Sequence, residues 1–194
     1  IAGVEKRENA VSSLISVSKS GFEKWEGKVF IDCTGDGDVG ALAGCEFHMG
    51  REEDGHLQPG TTYGLVGGWE GDFPKRKELM EIFEKAGKEL PYQGIYIFVQ
   101  DGMHNMGYLM PSHIYNLDPT DAESLTKSEL EGRRQVRYVV DVIKKYGGEK
   151  YKNFFLAATA PCVGIREGRR IVGNYYLTID DLNEGRTFED AVCD

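Results

Sequence analysis

The sequence predicts an α+β fold, and three patterns predict it. Short strand-like runs come first, two amphipathic helices follow at separate places, and further strand-like runs lie between and after them. At 194 residues, 40% hydrophobic and 28% charged, the chain carries enough apolar content to pack a real core, so disorder is not expected.

Residues 1–32 read as a β-meander. Leu14, Ser16 and Ser18 alternate against Ile15 and Val17, and Ser20-Gly21 and Glu26-Gly27 punctuate the run. The meander is expected to deliver the chain into one buried strand, Val29-Phe30-Ile31. Between Gly50 and Gly60 the chain turns polar and loses all periodicity, which places a domain crossing at 51–60 and separates residues 1–50 from 61–194. The charge run Arg51 to Asp54 within it reads equally as a solvated loop or as a hinge.

A strand is expected around Thr61 to Val66, followed by a helix opened by Asp72 with Pro74 at its first position. The stripe of that helix is Leu79, Ile82, Phe83, Ala86 and Leu90. Ile95 to Val99 and Tyr108 to Met110 read as strands joined through a loop containing Asp101-Gly102. Thr126-Lys127-Ser128-Glu129 is a capping-box start, Val136, Val139, Val140 and Ile143 form the stripe behind it, and Gly147-Gly148 should end that helix. Phe154 to Ala158 predicts another strand, and Thr178 and Thr187 each open a capping box.

The net charge of -9 argues against a nucleic-acid partner. Apolar runs fall far short of the roughly 18 residues that suggest a membrane span. Cys33, Cys45, Cys162 and Cys193 form no C-x-x-C pair and read as reduced thiols buried in the core of a cytoplasmic protein. His48, His56 and His113 share no ligand spacing with each other or with the cysteines, so no metal is expected.

The most informative stretch runs from Val29 to Gly44. Gly35, Gly37 and Gly40 satisfy the G-x-G-x-x-G pattern between an expected strand and an expected helix. A pyrophosphate loop needs bare backbone N–H groups, whereas Asp36 and Asp38 sit inside this one and are expected to cap the turn and helix themselves. Three readings stand: a literal phosphate loop, a purely structural strand-turn-helix, and a different kind of flavin contact.

For the third reading the residues carry a resemblance. Phe30-Ile31-Asp32-Cys33-Thr34-Gly35-Asp36-Gly37-Asp38 with Ala41-Leu42-Ala43-Gly44 resembles the hydrophobic "ATG"-type segment of the FAD-dependent oxidoreductase family, with Cys33 where the family often carries alanine. Gly50 to Gly55, Gln58-Pro59-x-Thr61, Gly164 to Ile171 and Leu177-Thr178 extend the resemblance. It implies an internal fragment of an α/β FAD-binding flavoprotein fold with an inserted α+β substrate domain. Residues 1–50 would be part of the FAD-binding domain and 61–194 a truncated substrate domain.

The resemblance also implies hydride transfer between FAD and an unidentified small organic substrate, with Thr34, Gly35, Asp36 and Gly37 at the flavin edge. Since the family's N-terminal glycine fingerprint and C-terminal flavin segment are not seen, FAD is expected in the full-length protein but not tightly on this piece, whose partner is the rest of its own polypeptide. Arg166 and Arg169 are candidates to clamp a carboxylate or stabilise developing negative charge. His104 is a candidate proton donor on the Gln100 to Gly107 turn. The alternative is a catalytically silent α+β module that binds protein or carbohydrate.

Overall fold

The structure is a computed structural model that describes residues 1–99, 102, 103, 105–189 and 191. In chain order its elements are β1 (Gly3–Arg7), β2 (Ala10–Ser18), β3 (Gly21–Glu26), α1 (Asp38–Leu42), β4 (Phe47–His48), β5 (Gly64–Gly67) and α2 (Arg76–Ala86). There follow β6 (Tyr96–Phe98), β7 (Met106–Met110), α3 (Ala122–Tyr146), a 3₁₀ turn at Glu149–Tyr151, β8 (Phe155–Thr159), β9 (Arg170–Ile171) and α4 (Ile179–Glu184). Helices and sheets are mixed without a βαβ alternation, and the fold is α+β.

The chain forms two compact units. One comprises Ile1–His48 and the residues from Arg169 onward, and the other is Met49–Gly168. The sequence expectation of one unit over 61–194 therefore differs from the structure. The cause is a short antiparallel pairing, Phe47 with Ile171 and His48 with Arg170, which returns the chain to the first unit. Nothing in a two-residue strand announces such a return.

In the first unit β1, β2 and β3 form the expected antiparallel meander. Ser18 pairs with Gly21, whose φ of 102° suits a residue without a Cβ. Val29-Phe30-Ile31 corrects the expectation of a buried strand: Val29 is 80% and Ile31 84% exposed, and no strand among the described residues pairs with them. An apolar run gains strand structure only from a neighbouring ladder, and the meander stops at Glu26. After the glycine loop, α1 buries Val39, and Lys6 Nζ donates to the Ala43 carbonyl at 2.7 Å near its C-terminal end. The capping box at Thr178 opens α4 as expected, with Asp181 accepting from the Thr178 N–H at 2.7 Å. Of the box at Thr187, the acidic partner lies outside the described residues.

The second unit is a four-stranded antiparallel sheet ordered β6-β7-β5-β8, with α2 packed on α3 and α3 on β8. Its core joins Leu79, Ile82 and Phe83 of α2 to Val139, Val140 and Ile143 of α3 and to Val66, Ile97 and Leu109 of the sheet. Each such side chain contributes roughly 1.5–3 kcal/mol on burial. The predicted stripes face the core at Leu79, Ile82 and Phe83 and at Val136, Val139, Val140 and Ile143, but α2 ends at Ala86 and leaves Leu90 beyond it, and both predicted helix starts shift. Lys75 is the N-cap of α2, so Pro74 precedes the helix. Asp121 caps α3 by accepting from Ser124 N at 2.6 Å, and Thr126, the predicted start, instead bonds back to the Ala122 carbonyl inside the helix. Cys33, Cys45 and Cys162 are exposed rather than buried, because each lies outside the helices and strands whose stripes pack the core, and Cys193 is outside the described residues.

One glycine sets how closely α3 approaches the chain entering β5. A Cβ on Gly132 would collide with Thr62 Oγ1, and it would lie 2.8 Å from Thr62 Cβ. Thr62 is fully buried, and its backbone is held on both sides by Ser112 Oγ, which accepts from Thr62 N at 2.8 Å and donates to Thr62 O at 2.9 Å. Gly132→Ala should therefore destabilise the fold by about 1–3 kcal/mol through overpacking, against a helix-propensity gain of about 1 kcal/mol. Chemical denaturation checks this, and an unchanged or raised midpoint would contradict it.

Candidate functional site

In the first unit the site is the loop from Asp32 to Gly40. Asp32 Oδ1 accepts from Thr34 N at 3.0 Å and from Thr34 Oγ1 at 2.7 Å, while Oδ2 accepts from Gly40 N at 3.0 Å. Thr34 Oγ1 in turn accepts from Asp38 N at 2.8 Å, at the first residue of α1. One carboxylate and one hydroxyl thus take the Thr34, Asp38 and Gly40 amide donors, which a phosphate at the start of α1 would otherwise compete for. Burial alone would push the Asp32 carboxyl up, but the hydrogen bonds from Thr34, Gly40 and Val39 outweigh it and hold it below its ordinary value.

This corrects the capping assignment. Asp36 and Asp38 are not the caps, since the N-cap of α1 is Gly37 at φ 63° and Asp32 serves the turn from outside the pattern. Asp38 is instead ion-paired to Arg169, whose Nη1 reaches Asp38 Oδ1 at 2.8 Å and the Asp36 carbonyl at 3.1 Å. The Arg169 side chain is only 18% exposed and lies over the Phe47 ring at 5.4 Å. Ile171 closes the same side: a Cβ on Gly40 would meet its Cδ1 at 2.8 Å. Gly35, with φ 85°, has nothing within 4 Å of a built Cβ, so that part of the loop is open.

In the second unit two isolated bridges bring three segments together. Gly60 pairs with Ile114 and Thr61 with Gly164. Arg166 then donates from Nε at 3.2 Å and Nη2 at 3.0 Å to Thr61 Oγ1. His113 is stacked on Tyr92 with ring centroids 3.6 Å apart, and Gln135 clamps its backbone on both sides. Burial, with the Arg166 charge adding to it, pushes the His113 imidazole below its ordinary pKa. Beside this junction lies a cleft of about 510 Å³ lined by His56, Leu57, Pro59, Tyr115, Asn116 and Glu167 among others. Asp54 holds the near wall, its carboxyl kept low first by the His56 backbone N–H and then by Arg51.

Of the candidates read from the sequence, Thr34 to Gly37 and Arg169 are brought together, whereas Arg166 belongs to the other unit. His104 lies outside the described residues. Sequence reasoning missed Asp32, His113, Thr61 and the Asp54–His56 pair. The first had a signal, an Asp two residues before a Thr at a turn, which is the spacing of a side-chain-closed turn. Partners of His113 and Thr61 come from distant segments and left none. Among the described residues no cluster of His, Cys, Asp or Glu could hold a metal, and no helix is long and apolar enough to cross a membrane.

An α+β chain with a glycine loop braced from within in one unit and a small-molecule-sized cleft in the other fits the flavin-dependent class that the motifs suggested. The profile of the FAD dependent oxidoreductase family matches residues 1–193, and the chain belongs to that family. No curated protein and no solved structure matches it.

The Asp32 geometry makes the loop pH-dependent in a definite direction. A carboxyl held below its unfolded value contributes stability that is present above that value, about 3.9, and lost as pH falls through the folded one. The Thr34 and Gly40 amide resonances should be unmoved at pH 5 and shift progressively below about pH 4. In Asp32→Asn the Gly40 amide should be displaced already at neutral pH and show no further acid transition. A transition near neutrality, or one unchanged in the variant, would contradict the assignment.

Proposed function

We propose that the chain is part of an oxidoreductase that transfers a hydride between FAD and a small organic substrate. Thr34, Gly35, Asp36 and Gly37 touch the edge of the flavin. The first unit belongs to the FAD-binding portion, and the second supplies substrate contacts. The observation that supports this most is the combination of family membership with a glycine loop in which Asp32 takes the Thr34 and Gly40 N–H donors. A loop satisfied in this way does not suit a pyrophosphate, whereas its open Gly35 suits van der Waals approach of a flat ring. When bound, FAD supplies the two-electron chemistry, and the protein supplies position and electrostatics.

Arg169 positions the loop by gripping Asp36 and Asp38, and is less suited to reaching substrate than the sequence suggested. Arg166, exposed and bonded to a neutral hydroxyl, is the better candidate to meet a negatively charged or electron-rich group. His104 remains a candidate proton donor. Exposed thiols at Cys33, Cys45 and Cys162 fit a reducing, cytoplasmic setting.

An edge contact binds weakly. A few hydrogen bonds net roughly 1 kcal/mol each, whereas micromolar affinity needs about 8 kcal/mol. FAD titrated into this chain should bind no better than about millimolar, with Thr34 to Gly37 amide resonances moving first. Saturable binding at low micromolar FAD, or shifts confined to other residues, would contradict the reading.

A further inference from the structure

Arg166 is held along one edge of its guanidinium. Thr61 is buried, and its backbone exchanges two hydrogen bonds with Gly164, Thr61 N donating to Gly164 O at 3.0 Å and Gly164 N to Thr61 O at 2.7 Å. The Thr61 hydroxyl is therefore a fixed point, and it accepts from Arg166 Nε at 3.2 Å and Nη2 at 3.0 Å. A guanidinium carries five N–H groups in one plane, and among the described residues no hydrogen bond takes the other three. Those on Nη1 and Nη2 form the fork that matches a carboxylate. Arg166 is exposed, so a ligand can reach that fork from solvent. Glu167, next in sequence, accepts Gln58 N at 2.9 Å and is held on that neighbouring segment.

His113 lies within the field of that cation, since the Arg166 charge adds to burial in lowering its pKa. Gln135 fixes the His113 backbone, accepting from its N at 3.1 Å and donating to its O at 3.2 Å, and Tyr92 fixes the ring by stacking at an interplanar angle of 17°. Stacking occupies a face and leaves the nitrogens at the ring edge. Among the described residues the hydrogen bonds of His113 are those of its backbone, so that edge is available to a ligand. Tyr115 stands edge-on to His113 with centroids 6.0 Å apart and also lines the cleft of about 510 Å³, which makes junction and cleft contiguous.

We propose that this junction binds a small hydroxy acid, with its carboxylate on the Nη1 and Nη2 fork of Arg166, its hydroxyl hydrogen-bonded to a ring nitrogen of His113, and its remaining carbons against Tyr115. A carboxylate alone would use the fork and leave the imidazole edge without a partner, whereas a hydroxyl on the same molecule engages both. The assignment rests on the reading of the second unit as the part that supplies substrate contacts, and it names the substrate class.

The test uses the uniformly ¹⁵N-labelled chain and three probes of one carbon skeleton: lactate, propionate and 1,2-propanediol. Lactate should shift the Arg166 Nε and His113 ring-nitrogen resonances saturably with a millimolar dissociation constant, propionate should bind about threefold or more weakly, and the diol at least about tenfold more weakly. Arg166→Gln keeps a donor for Thr61 and should weaken lactate at least about tenfold while the Thr61 and Gly164 amides stay in place. Arg166→Lys, which keeps the charge and loses the fork, should weaken it as well. His113→Phe keeps the stack on Tyr92 and should reduce lactate to the affinity of propionate. The proposal is overturned if the diol binds as well as lactate, if lactate leaves the His113 ring unmoved, if its affinity survives both Arg166 variants, or if its advantage over propionate survives His113→Phe. No flavin takes part in this readout, so its failure is distinct from failure of the FAD titration.

Discussion

A carboxylate just before a tight turn must find donors, and in this chain Asp32 finds them in the turn itself. Its two oxygens collect the Thr34 amide and hydroxyl and the Gly40 amide, so the residues between are folded around one anion that is part of the chain. What the loop can bind follows from this. Donors already committed cannot also cradle a pyrophosphate without giving up bonds that hold the loop. The surface left is the open Gly35 corner, while Arg169 and Ile171 brace the loop through Asp36, Asp38, Gly37 and Gly40.

The second unit solves a different problem, that of presenting side chains from distant segments at one place. Backbone bridges do it. Gly60 to Ile114 and Thr61 to Gly164 seat three connecting segments side by side, and the Ser112 hydroxyl locks the buried Thr62 backbone behind them. Loops held in this way by a sheet and two helices are suited to carry function because the scaffold, not the loop, supplies the stability. Arg166 on Thr61 and His113 on Tyr92 follow from that seating, whereas His56 on Asp54 is set within its own loop.

Much of the fold was legible in the sequence where one period dominates. The meander alternates by two, and the α2 and α3 stripes repeat at helical spacing, so burial and pattern agree at Leu79, Phe83, Val139 and Ile143. The Thr178 box was legible because both members of the reciprocal cap lie within one turn. Elsewhere the deciding partner was not local. Val29 to Ile31 has the composition of a strand without a ladder to join, and the two residues of β9 carry no pattern that sends the chain back to the first unit. At the site, the glycine pattern drew attention to Asp36 and Asp38 inside it, while the controlling acid stood one step outside. Arg166 and Arg169 sit close in sequence, yet their partners, Thr61 and Asp38, belong to different units.

The proposed flavin contact at Gly35 depends on Asp32 keeping the Thr34 and Gly40 amides. The most direct measurement is a crystal structure of the flavin-loaded protein. It should show the isoalloxazine edge in van der Waals contact with Gly35 while Asp32 still accepts from Thr34 and Gly40. A pyrophosphate seated on the amides of residues 35–40, with the Asp32 carboxylate displaced from them, would contradict the account.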